Sequence, residues 1–257
     1  MKIRTIVAAS LATFAVGELA HGQDGPSFDS NRLQPFGATW RQMTAGEDGL
    51  ELRGCISENL FRDTSGDWVH VQTARAVQSG LMRQEVRTLS ATDMRTTYLY
   101  RAPLQMPQGD AVWQRLQLTP QGAVGVVANR DGSTQPLERV YEQPVRDGWI
   151  LGLIIASLPL EDGLIAQDRV VIPLLDQRFD IEISANGPHP WEMDSGESIS
   201  VWEVGVDWVN LDDNDIYTAG PDQPGGTYYI AVDPAPFAPH VVGYRNENVS
   251  IEWGQCT

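Results

Sequence analysis

The sequence predicts a mainly β fold in which a curved antiparallel sheet holds one short helix against its inner surface. Segments of alternating polar and apolar residues, separated by turn residues, recur from Leu50 to Trp253, which is typical of an antiparallel meander. The segment Trp149–Leu160 has no charged residue over 12 positions, whereas a helix that crosses a bilayer needs about 20. A folded chain can hide such a segment only by surrounding it, so we expect a buried helix at about residues 148–160.

The first 22 residues have the order of a secretory signal. Lys2 and Arg4 precede an apolar stretch, Ile6–Gly17, and Ala20–Gly22 offers small residues for cleavage. We therefore predict that residues 1–22 form a signal peptide and that the remaining chain is periplasmic or secreted, in a bacterium. The alternative is a short N-terminal helix of the folded domain.

The charge of the chain excludes several classes of function. The formal charge is −16, and it becomes −17 when Lys2, Arg4 and Glu18 leave with the signal peptide. Because Lys2 is the only lysine, the exported chain has no lysine for a Schiff base, a P-loop or a Ser-Lys dyad. The acidic excess argues against nucleic acid or an anionic membrane surface as a partner. No later segment is long enough to span a membrane, so we expect an acidic, soluble protein.

The two cysteines predict one disulfide bond. Cys55 and Cys256 lie near opposite ends of the exported chain, and in an oxidising compartment two cysteines usually pair. Metal binding by two distant cysteines without a CxxC motif is the alternative. The bond would make the first strand and the C-terminus neighbours. We expect a loosely ordered lead-in over residues 23–49 and a single domain over residues 50–257.

Thirteen strands are predicted, seven before the helix and six after it. They are Leu50–Leu60, Trp68–Ala74, Leu81–Leu89, Arg95–Ala102, Val112–Leu118, Gly122–Ala128, Thr134–Val140, Asp168–Leu174, Arg178–Ala185, Glu197–Asn210, Thr227–Val232, His240–Tyr244 and Val249–Trp253. Within Ile199–Val209 the residues Trp202, Val204, Val206 and Trp208 share one face, because side chains alternate along a strand. We expect this apolar face to point inward.

Two stretches carry a resemblance to a known family. They are Gly148–Gly163 and Gly225–Tyr244, the second with a Gly-Tyr-Tyr strand, an acidic-proline turn and a Val-Val strand. Together with the order of the strands, they resemble the lipoprotein-carrier type of half-barrel, the fold of LolA and LolB in the bacterial envelope. The resemblance implies a curved antiparallel half-barrel whose concave face is filled by helix. It implies no particular functional residue, because no ligand-contacting position can be matched.

Aromatic and arginine side chains are the candidates for ligand binding. Large concave sheets bind apolar ligands with aromatic residues and use a few polar groups for orientation, and arginine on a strand can hold a carboxylate or phosphate head group. The candidates are Trp149, Trp202, Trp208, Tyr228, Tyr229, Arg83, Arg87 and Arg101. The alternative is that the aromatic residues fill the core and the arginines lie at the surface.

Metal binding and catalysis have weaker support in the sequence. Asp207, Asp212, Asp213 and Asp215 are dense enough to suggest a Ca²⁺ site. However, the EF-hand spacing is missing, and a solvated acidic loop is the alternative. The histidines of the exported chain are His70, in a strand, and His189 and His240, next to prolines. No HExxH, CxxC or Gly-x-Ser-x-Gly motif occurs.

These observations predict an exported protein that binds an apolar or amphipathic ligand, or an envelope partner, in the concave face of a half-barrel. No cofactor is implied and no reaction is expected. One alternative is a hydrolase or isomerase on the same scaffold that uses a carboxylate with one of the histidines. The other is a non-catalytic structural protein of the envelope.

Overall fold

A computed structural model of the chain describes residues 27–46, 49–105, 113–128, 131–141, 144–173, 177–193, 196–210, 216–217 and 225–256. These residues form sixteen strands, one α-helix and two 3-10 turns. The strands are β1 (Phe36–Gly46), β2 (Gly49–Arg62), β3 (Trp68–Ala76), β4 (Met82–Leu89), β5 (Thr96–Gln105), β6 (Trp113–Thr119), β7 (Gly122–Ala128), β8 (Thr134–Val140), β9 (Arg146–Asp147), β10 (Ile165–Ile172), β11 (Gln177–Glu192), β12 (Ser198–Asn210), β13 (Ile216–Tyr217), β14 (Gly226–Ala231), β15 (Val241–Arg245) and β16 (Val249–Trp253). The helix is α1 (Leu151–Ala156), and the 3-10 turns are Ser30–Arg32 and Gly148–Ile150.

All strands belong to one curved sheet, as the alternation along the chain predicts. The order is β8-β7-β6-β5-β4-β3-β2-β1-β16-β15-β14-β12-β11-β10-β9, and β13 pairs with β12 outside this path. Neighbours are antiparallel except β9 and β10, which are parallel. The fold is therefore mainly β, with a curved antiparallel sheet around one short helix, and this prediction is confirmed.

β1 lies inside the segment 23–49, for which the sequence indicates little regular structure. It pairs with β2 on one side and with β16 on the other, so it is a central strand. Phe36 and Trp40 are buried on one face, but the polar Gln42 takes the next position on that face and interrupts the hydrophobic alternation. Hydrogen bonds to β2 and β16 hold β1 in the sheet. The residues of β1 alone do not reveal these partners, so the strand could not be predicted from its own pattern.

The predicted disulfide bond between Cys55 and Cys256 is confirmed. Cys55 lies on β2 and Cys256 follows β16, and their Cα atoms are 5.9 Å apart. The single strand between them is β1. The bond thus links β2 to the segment after β16 across β1, near the centre of the sheet.

The helix fills one half of the inner face, defined here as the face that carries Trp40, Val204 and Trp208. Ile154 and Ile155 are completely buried in the main core, and each such side chain contributes about 1.5–3 kcal/mol. Gly152 allows α1 to lie close to β15, because a Cβ at this position would lie only 2.9 Å from Val241 Cγ2.

The helix is shorter than predicted, since Ser157 ends it after six residues. The hydroxyl of Ser157 donates to the carbonyl of Ile154 at 2.7 Å and so competes for the groups that would extend the helix. Within the described residues, no helix has the length and apolarity needed to cross a bilayer.

Candidate functional site

The other half of the inner face carries charge. Arg83, Glu85 and Arg87 alternate along β4 and therefore share one face. Arg101 of β5 is directly opposite Glu85 in the register, and directly paired residues point to the same side of a sheet. The side chains of Glu85 and Arg87 are only 3% and 1% exposed, whereas that of Arg83 is 37% exposed.

Glu85 is the centre of this cluster. One carboxylate oxygen, Oε2, accepts a short hydrogen bond from Arg87 Nη2. The other, Oε1, lies 2.7 Å from Arg101 Nη2 and 3.3 Å from Arg83 Nε. A single buried carboxylate thus faces three guanidinium groups.

Asp147 connects this cluster to the helical segment. Arg87 Nε donates to Asp147 Oδ2 at 2.8 Å. The second oxygen, Oδ1, accepts from the backbone N–H of Trp149 at 3.0 Å and caps the 3-10 turn. Because α1 follows this turn directly, the ion pair fixes the start of the helical segment against β4.

Trp149 lies over the two outer arginines. Its side chain is exposed (43% of the residue is accessible). The Cζ atoms of Arg83 and Arg101 are each 5.9 Å from the centre of a Trp149 ring, at the outer limit of a cation–π contact. Arg83, Arg101 and Trp149 are therefore the accessible part of the cluster, and we call them the Trp149 site.

The cluster perturbs the pKa values of its members. Burial alone raises the pKa of Glu85, but Arg87, Arg101 and Arg83 outweigh burial and hold that pKa below its usual range. Burial lowers the pKa of Arg87, but Asp147 and Glu85 more than compensate, so the pKa is raised. Burial also lowers the pKa of Arg101, which Glu85 only partly offsets. All these groups remain charged near neutral pH.

Positive charge is in excess in the cluster. Three guanidinium groups, of Arg83, Arg87 and Arg101, face two carboxylates, of Glu85 and Asp147. In the described part of the chain, Arg87 Nη1 is buried without any hydrogen-bond partner. Buried charged donors usually have partners, so the cluster keeps an unused N–H donor besides its excess positive charge, and both suit an anionic acceptor.

An apolar row of residues leads to the cluster across four paired strands. In the register, Trp40 of β1 is opposite Ile56 of β2, Ile56 is opposite Ala74 of β3, and Ala74 is opposite Arg83. Ile56 and Ala74 are half-buried, while Trp40 belongs to the core. At about 4.8 Å between strands, the row extends roughly 14 Å from Trp40 to Arg83.

The structure does not bring the other aromatic candidates to the Trp149 site. Trp208 is completely buried against Phe179, with ring centres 4.9 Å apart, and it fills the core. Trp202 and Tyr228 are half-buried on the inner face and pack against the same core. Tyr229 points to the opposite face, because adjacent residues alternate, and its ring centre lies 4.0 Å from that of Trp191.

The proposed Ca²⁺ ligands do not form a site that the structure describes. Asp207 is exposed on β12, and Asp212, Asp213 and Asp215 lie outside the described residues. Among the residues that are described, no three His, Cys, Asp or Glu side chains come close enough together to hold a metal ion.

Of the three described histidines, two are buried beside partners within the chain and one is exposed. His70 is 1% exposed, and its Nε2 lies 3.0 Å from Glu58 Oε1; that oxygen also accepts from Gln72 Nε2 at 2.7 Å. His240 is buried, and its Nε2 accepts from the backbone N–H of Gln34 at 2.9 Å. His189 is exposed on β11.

A cavity of about 190 Å³ next to Asp147 is lined in part by Thr96, Leu118 and Val145. The two other charged residues in its wall, Asp93 and Arg95, pair with each other at 3.2 Å. The cavity thus offers no uncompensated charge, and the Trp149 site is the better candidate.

Sequence reasoning missed Glu85 and Asp147, which organise the cluster. The alternation Arg83-Gln84-Glu85-Val86-Arg87 was visible, but it usually indicates a solvated face. Asp147 was visible only as the residue before the apolar segment. What brings these residues together is the packing of the helical segment onto β4, which no local pattern reveals.

The comparisons with known proteins add one distant structural likeness. No protein-family model matches the chain, and no curated protein matches it significantly. Among solved structures, the chain is similar to a beta-barrel-like protein of the domain of unknown function DUF1849 from Brucella abortus. The two share 10% sequence identity with a TM-score of 0.48, over 86% of this chain and 95% of that one. This likeness carries no argument about function, so the function below is inferred from the chain's own residues.

Proposed function

We propose that this chain is a non-catalytic binding protein for an amphipathic ligand, with the anionic head group at the Trp149 site. The observation that supports the proposal most is the exposed Trp149 ring beside two partly accessible arginines, Arg83 and Arg101. Arginine recognises carboxylate and phosphate oxygens with paired hydrogen bonds. An exposed tryptophan provides a flat apolar surface next to them.

The apolar row favours a ligand with a hydrophobic tail. Ile56 and Ala74 leave part of their surface accessible next to Arg83, so a tail could follow the row while the head group contacts the arginines. The half of the inner face that carries Trp208 is not available to the tail, because α1 and its neighbours fill it. The polar half is therefore the better location.

The expected affinity is moderate. A tail that removes about 200 Å² of apolar surface from water gains roughly 5 kcal/mol at about 25 cal/mol/Å², before the cost of immobilisation. Charge-assisted hydrogen bonds to the arginines contribute about 1.5–3 kcal/mol each. The sum is consistent with micromolar binding.

The test is a titration of the purified protein with sodium laurate, followed by tryptophan fluorescence and by calorimetry. We expect saturable micromolar binding, about tenfold weaker in Trp149→Ala and in Arg101→Gln. The matched control is Trp191→Ala, on the opposite face, which should bind like the wild type. Absence of binding, or equal affinity of Trp149→Ala and the wild type, would contradict the proposal.

A lipid extract of the protein isolated from its native compartment tests the same proposal without a chosen probe. An amphiphile that co-purifies, detected by mass spectrometry, supports a periplasmic or secreted carrier of the lipoprotein-carrier type. The Cys55–Cys256 disulfide bond is consistent with an exported chain. If the extract is empty and laurate does not bind, a structural role in the envelope is the better interpretation.

A further inference from the structure

We infer that Glu85 determines which charge the head group carries: the site prefers an amphiphile with one negative charge over one with two. This inference rests on the proposed function, because it concerns the ligand of the same site. It adds a specificity-determining residue that does not itself reach the solvent, since the Glu85 side chain is 3% exposed.

The net charge of the cluster follows from its ion pairs. Glu85 is in contact with all three arginines, through Oε1 with Arg83 and Arg101 and through Oε2 with Arg87. Asp147 is in contact with Arg87. The five side chains together carry one net positive charge. A ligand with a single negative charge makes the cluster neutral, and a ligand with two leaves an uncompensated negative charge.

Glu58 and His70 are two other ionisable residues near the cluster. Glu58 is on the same face as Glu85, but Gln72 lies between them in the register. Glu58 is engaged by His70 at 3.0 Å and by Gln72 at 2.7 Å, not by the arginines. Neither Glu58 nor His70 contacts the Trp149 site, so the balance there is set by Glu85 and Asp147.

The two carboxylates of the cluster differ in their contacts. Asp147 uses both oxygens, for Arg87 and for the backbone N–H of Trp149, and it does not contact the accessible arginines. Glu85 contacts Arg83 and Arg101 directly, and these are the arginines that a head group can reach. Glu85 therefore competes with the ligand for the same guanidinium groups, whereas Asp147 holds the scaffold.

The experiment compares two amphiphiles with the same tail, laurate and dodecyl phosphate, at pH 8. Laurate then carries one charge and the phosphate two, because the second phosphate pKa is about 6. We expect the wild type to bind laurate more tightly. In Glu85→Gln the net charge of the cluster rises by one, and the ratio of the two dissociation constants should shift about tenfold toward dodecyl phosphate. The control is Glu138→Gln, an exposed glutamate on β8, which should leave the ratio unchanged.

A second variant applies if Glu85→Gln does not fold. Arg83→Gln removes the excess positive charge at a side chain that is 37% exposed, and its control is Arg75→Gln, exposed on the opposite face. We expect Arg83→Gln to weaken laurate about tenfold relative to dodecanol, the uncharged analogue. If both probes bind and neither variant changes these ratios, the role of Glu85 is overturned while the binding function stands. If no probe binds the wild type, the proposed function itself fails.

Discussion

The two halves of the inner face bury their surface by opposite means. On β10, β11, β12 and β14 the side chains are apolar, and α1 covers them with Ile154 and Ile155. On β4 and β5 the buried side chains include the charged Glu85 and Arg87, which are held by ion pairs, beside the apolar Leu89 and Leu99. The difference teaches that one sheet can bury its inner face in two ways. The half that α1 fills is apolar, and the half that α1 leaves uncovered buries Glu85 and Arg87 as ion pairs beside the more accessible Arg83.

The largest expected effect comes from a substitution in the apolar half of the inner face. Ile154→Asp places an unpaired charge in a fully buried position, and it should lower the free energy of unfolding by more than about 4 kcal/mol. Thermal unfolding followed by circular dichroism measures the change. Glu161→Gln, at an exposed position just after the helical segment, should behave like the wild type. A wild-type melting curve for Ile154→Asp would contradict the burial of α1.

The next largest effect is expected from a substitution in the polar half of the inner face. Arg87→Met leaves Asp147 without its ionic partner, and removal of one member of a buried pair costs about 3–5 kcal/mol. Urea denaturation should report this loss. The double variant Arg87→Met with Asp147→Asn should recover part of it, because the amide oxygen can still accept from the Trp149 N–H. If the two single changes are simply additive, the two residues are not coupled in the way the 2.8 Å contact indicates.

The smallest effect concerns the junction of β1 with the loop before β15, where His240 accepts from Gln34. Burial lowers the pKa of His240 from 6.5 to about 4. Between these values the unfolded chain binds the proton and the folded chain does not. Stability should therefore fall as the pH drops from about 6.5 to 4, by up to about 3 kcal/mol.

The measurement is a series of urea denaturation curves between pH 7 and pH 4. His240→Gln should flatten this profile, because it has no imidazole to titrate. His189→Gln, at an exposed position, should keep the wild-type profile. An unchanged pH dependence in His240→Gln would show that other groups cause the loss of stability.

The sequence predicted the apolar half better than the polar half, and the reason is physical. Alternation identifies β12 and an uncharged run identifies α1, since both signals are local. The disulfide bond was predicted from the number of cysteines and from an expected oxidising compartment. The cluster depends instead on a register that places Arg101 opposite Glu85, and on a contact between Arg87 and Asp147, which lie 60 residues apart. The three arginines of the cluster were named from the sequence, but the acids that organise them, Glu85 and Asp147, were not.

The central position of β1 leaves the growing chain with an open edge during its synthesis. β1 emerges among the first folded residues, but its pairing partner β16 is the last strand to appear. Until then, one side of β1 is a row of unpaired backbone groups in the middle of the future sheet, and such edges favour aggregation. A chain cut before Val249 would keep that edge open permanently. The sheet therefore has a seam between β1 and β16 that closes only when β16 is in place, and loss of β16 should harm solubility more than loss of a strand at the margin of the sheet.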